Sequence, residues 1–177
     1  MLQAEIAGRR IAPSQEAPAK GTLIRDFQLT SSEGKSILLS EYRGRSNMVL
    51  VLAAESEGVA GFLSGLQEHQ AELAGNEARV LVILAGSEQH ASNLKQSLHL
   101  NFEVLADKDG HVHRLLGAKD AVGHICPAVF ITDRFGEVFA AYSIAHDKLL
   151  PGLEEILSWI DLINRQCPEC APPEWPD

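Results

Sequence analysis

Apolar residues along this chain change their spacing several times, and each change predicts an element. Met48, Val49, Leu50, Val51, Leu52, Ala53 and Ala54 form an unbroken apolar run, which suits a strand covered on both faces. Residues 79–85 repeat the pattern through Val80, Leu81, Val82, Ile83 and Leu84. Between the two runs, Val59, Phe62, Leu63, Leu66 and Leu73 share one helical face and predict a helix reaching to about Ala74. Gly58, Gly61 and Gly65 weaken that helix by roughly 1 kcal/mol each relative to alanine. Ser87 is an N-cap for a helix over 88–98, with Ala91, Leu94 and Leu98 inward. A short strand over 102–106 follows, then the turn Asp107-Lys108-Asp109-Gly110. Val112, Leu115 and Leu116 mark a short helix closed by Gly117.

Hairpins flank this centre. Residues 24–30 and 36–39 are paired strands around Gly34, followed by the short turn Ser40-Glu41-Tyr42-Arg43-Gly44. Residues 128–132 and 137–142 form an antiparallel pair linked by Asp133-Arg134-Phe135-Gly136. A last helix starts with Pro151 near its first position and carries Glu154 and Glu155 in its first turn. Leu153, Ile156, Leu157, Ile160 and Ile163 form its stripe, and it ends near Arg165. The chain thus divides into an arm over 1–20, a domain over 21–165 and a tail over 166–177. The alternation in the middle predicts an α/β fold: a central mixed sheet flanked by helices, with an N-terminal β-hairpin.

At 177 residues with 45% hydrophobic content, one domain can bury a sizeable core. A net charge of −9 argues against nucleic-acid or anionic-membrane partners, whose binding rests on Lys and Arg neutralising phosphates. The first ten residues contain no apolar signal region, and no run is long enough to span a bilayer. The expectation is a soluble, cytoplasmic protein. Three cysteines, Cys126, Cys167 and Cys170, are too few and too late for a disulfide scaffold.

Four stretches in shared order carry a resemblance. They are Asp26-Phe27-Gln28-Leu29 before the Gly34 turn; Leu39-Ser40-Glu41-Tyr42-Arg43-Gly44; Leu105-Ala106-Asp107-Lys108-Asp109-Gly110 with Leu116-Gly117; and Pro127-Ala128-Val129-Phe130-Ile131-Thr132-Asp133-Arg134-Phe135-Gly136. Over roughly residues 21–165 the chain resembles the AhpC/TSA, or redoxin, branch of the thioredoxin fold, which includes the peroxiredoxins. The resemblance implies a thioredoxin-like fold with a reactive cysteine where the central strand meets the next helix. There, helix N–H groups stabilise a thiolate. The matching position in this chain is Ser56, within Glu55-Ser56-Glu57-Gly58, and a serine hydroxyl forms no mixed disulfide. The family's Pro-x-x-x-Thr run is absent, and its peroxide-binding Arg would fall near Pro127. A conventional peroxidase mechanism is therefore not supported. Pro127 instead matches the cis-proline of thioredoxin-like proteins, which implies a cis Cys126–Pro127 bond.

The remaining chemistry lies in the cysteines. Cys167-x-x-Cys170 has three open readings: a dithiol/disulfide pair exchanging with protein partners, half of a tetrahedral Zn or Fe knuckle completed by a homodimer, or two inert thiols in a proline-rich tail. About 15 helical residues at 1.5 Å each carry the chain about 22 Å. The pair should therefore lie at the end of the sheet opposite Ser56 and Cys126. A helix C-terminus raises a thiol pKa, an effect Arg165 partly offsets. His124 and Cys126, two apart, are a candidate pair for a displaced nucleophile, set against a small buried cysteine beside proline. His111 and His113 read as solvated surface. Glu33, Glu41, Glu55 and Glu57 show no diagnostic pairing, and Trp159 and Trp175 read as packing for the last helix and tail. Two function classes follow. One is a redoxin-like thiol protein, a thiol-disulfide oxidoreductase or antioxidant using Cys167 and Cys170. The other is a non-catalytic binding or regulatory module using the groove near Ser56 and Pro127.

Overall fold

β3 (Asn47–Ala53) is the middle of the molecule, and every one of its residues is buried. In the computed structural model, which describes residues 16–143 and 149–166, this strand runs parallel to β4 (Ala78–Ala85) and antiparallel to β6 (Ala128–Thr132). Cys167, Cys170 and Trp175 lie outside the described residues. The other strands are β1 (Gln28–Ser31), β2 (Ser36–Leu38), β5 (Glu103–Asp107) and β7 (Val138–Ser143). Together they make one seven-stranded sheet in the order β2-β1-β5-β4-β3-β6-β7. β3, β4 and β5 are mutually parallel; β1, β2, β6 and β7 supply the antiparallel flanks. The mixed sheet expected from the alternation is therefore present.

The continuous apolar runs have a simple cause. Alternate residues point to opposite faces of the sheet, and both faces are covered. Val49, Val51, Val80, Val82, Val129 and Ile131 pack beneath α1 (Glu57–Glu68), α2 (Gln70–Gly75), α3 (Glu88–Ser97) and α5 (Leu153–Arg165). Met48, Leu50, Leu52, Leu81, Ile83 and Phe130 pack on the other face beneath α4 (His111–Leu115), Ile24, Phe27 and Leu39. Leu39 opens a short 3-10 turn, Leu39–Tyr42.

Local chemistry explains the turns. Ser31 is fully buried, and its hydroxyl accepts the backbone N–H groups of Glu33 and Lys35, each at 3.2 Å. Gly34 takes a φ of +77, so the hairpin closes without strain. Ser87 caps α3 as expected, accepting the His90 N–H. On α5, Ile156, Ile160 and Ile163 are the buried stripe. Trp159 packs that helix on β7: its Nε1–H donates to the Tyr142 hydroxyl at 2.7 Å, which donates to Glu155 at 2.5 Å.

Three boundaries differ from the pattern. The helix after β3 does not run unbroken to Ala74; it breaks at His69, whose φ and ψ are −106 and 12. The His69 ring lies 3.0 Å from the Gly65 carbonyl oxygen and competes for a helix-terminal acceptor, so α2 starts afresh. Residues 24–27 do not belong to β1, which starts at Gln28. Ile24 N–H donates instead to Gly136 O, next to the bonds Gly21 N–H to Val138 O and Val138 N–H to Thr22 O, so this end of the expected strand serves a different neighbour. Pro151 lies before the last helix rather than in its first turn. Gly152 is the N-cap residue, and the Pro151 side chain is buried.

Candidate functional site

The parallel strands end at one edge of the sheet, and the chain brings its candidate residues there one by one. β3 stops at Ala53, and Ser56 turns the chain into α1. Its backbone is extended (φ −159, ψ 163), and its side-chain oxygen accepts the Val59 N–H at 3.3 Å. Ser56 is thus the N-cap residue of α1, solvent-exposed and set against the positive end of the helix dipole. A thiol in its place would meet the field that favours a thiolate. Glu55 and Glu57 are exposed on either side.

β6 arrives at the same edge. Its first residue, Ala128, stands opposite Leu52, so Pro127 is level with the end of β3. The structure therefore joins Ser56 and Pro127 at one pole, as the sequence predicts. The expected cis bond is not formed: no peptide bond among the described residues is cis, and Cys126–Pro127 is trans. The reason lies in the approach to β6. Ile125 bridges to Lys119, and the Cys126 N–H donates to the Ala118 carbonyl at 2.9 Å. The segment before Pro127 is thereby held extended, which the trans isomer continues directly into the strand.

Cys126 is half-buried rather than sealed in the core. Its Sγ is 3.8 Å from the His124 carbonyl oxygen. Burial pushes its thiol above the ordinary range, and the Asp120 carboxylate pushes it further. The expected help from His124 does not materialise. The His124 ring turns to Asp120, with Nδ1 3.0 Å from Oδ2, and is largely in solvent. Burial acts to raise the Asp120 carboxyl, but hydrogen bonds from the His124 backbone and ring and from the Val122 backbone bring it below its usual value. The anion beside Cys126 is therefore stabilised, and the thiolate is not.

The same edge holds a pair that the sequence reading places wrongly. His113 is fully buried, not solvated. Its Nδ1–H donates to Asp107 Oδ2 at 2.6 Å, and its backbone N–H donates to the same oxygen at 2.9 Å. Burial acts to raise the Asp107 carboxyl, but these bonds and the His113 charge bring it below its usual value. Asp107 ends β5, and Gly110, with φ +61, turns the chain into α4 so that His113 swings back over the carboxylate. A Cβ at Gly110 would stand 2.6 Å from the Lys119 ammonium. The available signal was an Asp ending an apolar strand just before a glycine-opened helix, a position where a carboxylate caps exposed N–H groups.

Where Cys167 and Cys170 sit lies outside the described residues, but their point of departure does not. Asn164 in the last turn of α5 accepts from Asn47 Nδ2 at 2.7 Å and donates to the Asn76 carbonyl at 2.8 Å. Asn47 opens β3, so α5 ends at the edge opposite Ser56. Among the described residues no group of three or more His, Cys, Asp or Glu is placed to hold a metal ion, and no helix is long and apolar enough to cross a membrane.

Solved structures share this architecture. Peroxidoxin BcpB from Mycobacterium tuberculosis aligns with a TM-score of 0.71 at 18% identity, over 82% of this chain and 98% of that one. Mycobacterium tuberculosis AhpC aligns with a TM-score of 0.73 at 17% identity, over 88% and 97%. A putative thiol:disulfide interchange protein DsbE from Chlorobium tepidum aligns with a TM-score of 0.68 at 23% identity, over 84% and 99%. At these identities the likeness establishes the thioredoxin-like fold alone. No curated protein sequence matches the chain. The model of the AhpC/TSA family matches residues 21–141, more than half of the sequence, and the chain belongs to that family.

Proposed function

We propose that this protein is a thiol-disulfide oxidoreductase of the AhpC/TSA family that works through Cys167 and Cys170. One observation carries the reading: the strand-to-helix junction presents the Ser56 hydroxyl at the helix N-terminus, while the nearby thiol, Cys126, is pushed toward its protonated form. Family membership supports thiol redox chemistry, and the Cys-x-x-Cys pair is the remaining place for it. The family's helix-terminal thiol is, on this reading, replaced by Ser56.

The chemistry is an exchange of two electrons. One thiolate of the pair attacks a sulfur of a partner disulfide, whose S–S bond breaks and releases one partner thiolate, which takes up a proton. The second thiolate of the pair then attacks the mixed disulfide and releases the other partner thiol. The Cys167–Cys170 disulfide remains, and an external dithiol reductant returns it to the start. The departure of the tail from the edge opposite Ser56 supports an exchange that does not involve Cys126 of the same chain.

A second reading, a binding module without redox chemistry, is supported by the same inert junction. Mass measurement of protein purified without reductant or added metal separates the two. Loss of two hydrogens localised to the Cys167–Cys170 peptide is expected. Disulfide exchange with a small aromatic disulfide should vanish in Cys167→Ser and persist in Cys126→Ser. Free thiols at both positions with no exchange activity would overturn the redox reading in favour of the module. One Zn or Fe per homodimer would make the tail a structural knuckle.

A further inference from the structure

The outer flank of β7 holds a cavity of about 880 Å³, lined by residues 16–20 and 139–143 together with Leu149 and Trp159. Its lining is largely apolar. Phe139, Tyr142 and Trp159 are only partly buried against the core, and Leu149 is 85% exposed. β7 is the last strand of the sheet, and bare apolar surface beside a sheet edge invites another segment to cover it.

The chain itself already covers the start of this edge. The Gly21 N–H donates to the Val138 carbonyl at 2.8 Å, and the Val138 N–H donates to the Thr22 carbonyl at 2.9 Å. A turn closed by the Thr22 N–H on the Ala19 carbonyl at 3.1 Å then leads residues 16–20 along the cavity. Residues 1–15, which lie outside the described residues, therefore depart from the cavity lining at Glu16. Ile11, the nearest large apolar residue of that arm, is at most about 18 Å of extended chain from Glu16. The tail starts farther off. Asn164 ties the end of α5 to Asn47 and Asn76, and Gln166 is about 10 Å along the helix from Trp159. Charge points the same way. Glu16 lines the cavity, Glu155 accepts from Tyr142, and the Lys20 ammonium lies 5.1 Å from the Trp159 ring centroid. Two carboxylates against one ammonium suit the arm, which carries Arg9 and Arg10, better than the tail, which carries Glu169, Glu174 and Asp177.

We propose that the N-terminal arm docks in this cavity, with Ile11 seated against Phe139 and Trp159, and that it acts as a strap closing the outer flank of β7. The docking is independent of the cysteines and of the redox reading.

Nuclear Overhauser contacts in the full chain, labelled at its isoleucine methyl groups, test the proposal directly. Contacts from the Ile11 methyl to ring protons of Phe139 and Trp159, unchanged on dilution, are expected. Ile11→Asp should raise hydrogen exchange at residues 139–143 by about tenfold or more, because it removes the apolar anchor, while the amides of β3 stay protected. The wild-type contacts decide the matter if that variant does not fold. Contacts from Trp175 to the same rings would overturn the proposal and give the cavity to the tail. Contacts that fade on dilution would give it to a second copy of the chain. Absence of any contact to Phe139 and Trp159 from residues 1–15, or exchange at residues 139–143 unaltered in Ile11→Asp, would also overturn it.

Discussion

His113 Nδ1 and Asp107 Oδ2 are 2.6 Å apart, and both side chains are sealed from solvent at the end of β5. The same carboxylate oxygen also accepts the His113 backbone N–H, so one acidic group both caps α4 and anchors its ring. The far ring nitrogen, Nε2, is buried without a partner. This pair fixes the short helix α4 across the end of the sheet, where its five residues could not hold themselves.

Asp107→Asn should therefore cost about 3 kcal/mol, because it leaves the buried His113 ring without its anion. A denaturant midpoint at unchanged slope measures this. Asp107 is held below its usual value, so its contribution is fully present above the unfolded carboxyl pKa, about 4, and is lost as pH falls through the folded value. The wild-type midpoint should fall below about pH 4, and the variant should show a flatter acid limb. Equal acid limbs would refute the assignment.

Ser56→Cys, made in a chain whose three native cysteines are serine, should yield a thiol with a pKa below the free value of about 8.5. The helix N-terminus that Ser56 now caps supplies the field. Alkylation rate against pH reads it directly. A pKa at or above the free value would mean that Glu55 and Glu57 outweigh the dipole. Ser56→Ala, by contrast, only removes the cap and should cost about 1 kcal/mol.

Cys126 should alkylate more slowly than a free cysteine at pH 7 and accelerate only in alkaline solution, since burial and Asp120 both hold its thiol protonated. Asp120→Asn should speed the reaction at neutral pH by roughly threefold. Rates identical to those of a free thiol in the native protein would contradict the geometry.

Asn164→Ala should loosen the end of α5. It removes the bonds to Asn47 and Asn76, at a cost of about 1–2 kcal/mol, and leaves a buried amide of Asn47 short of its partner. Hydrogen exchange should rise in the last turn of the helix while the amides of β3 stay protected. A uniform rise across β3 would show that the contact is not local.

Sequence alone determined what short-range spacing can carry. The unbroken runs around Leu50 and Val82 suited strands covered on both faces, and the Ser87 cap, the Gly34 turn and the Ile156–Ile160–Ile163 stripe each follow from neighbours a few residues away. Ser56 was placed at the strand-to-helix junction by the family resemblance, and the structure adds that it caps the helix. Tertiary structure decided whatever depends on partners far along the chain. Ile24, expected in the first strand, bonds to Gly136 at the approach to β7 because a strand's alternation does not name its neighbour. His113 is buried because α4 folds back on Asp107, although its sequence surroundings read as polar surface. The Cys126–Pro127 bond is trans because Lys119 and Ala118 hold the approach extended, and the Cys126 thiol is pushed up because the fold half-buries it and sets the Asp120 carboxylate beside it. Spacing fixes which face a side chain shares; charge, burial and hydrogen-bond partners follow only from which segments the fold brings together.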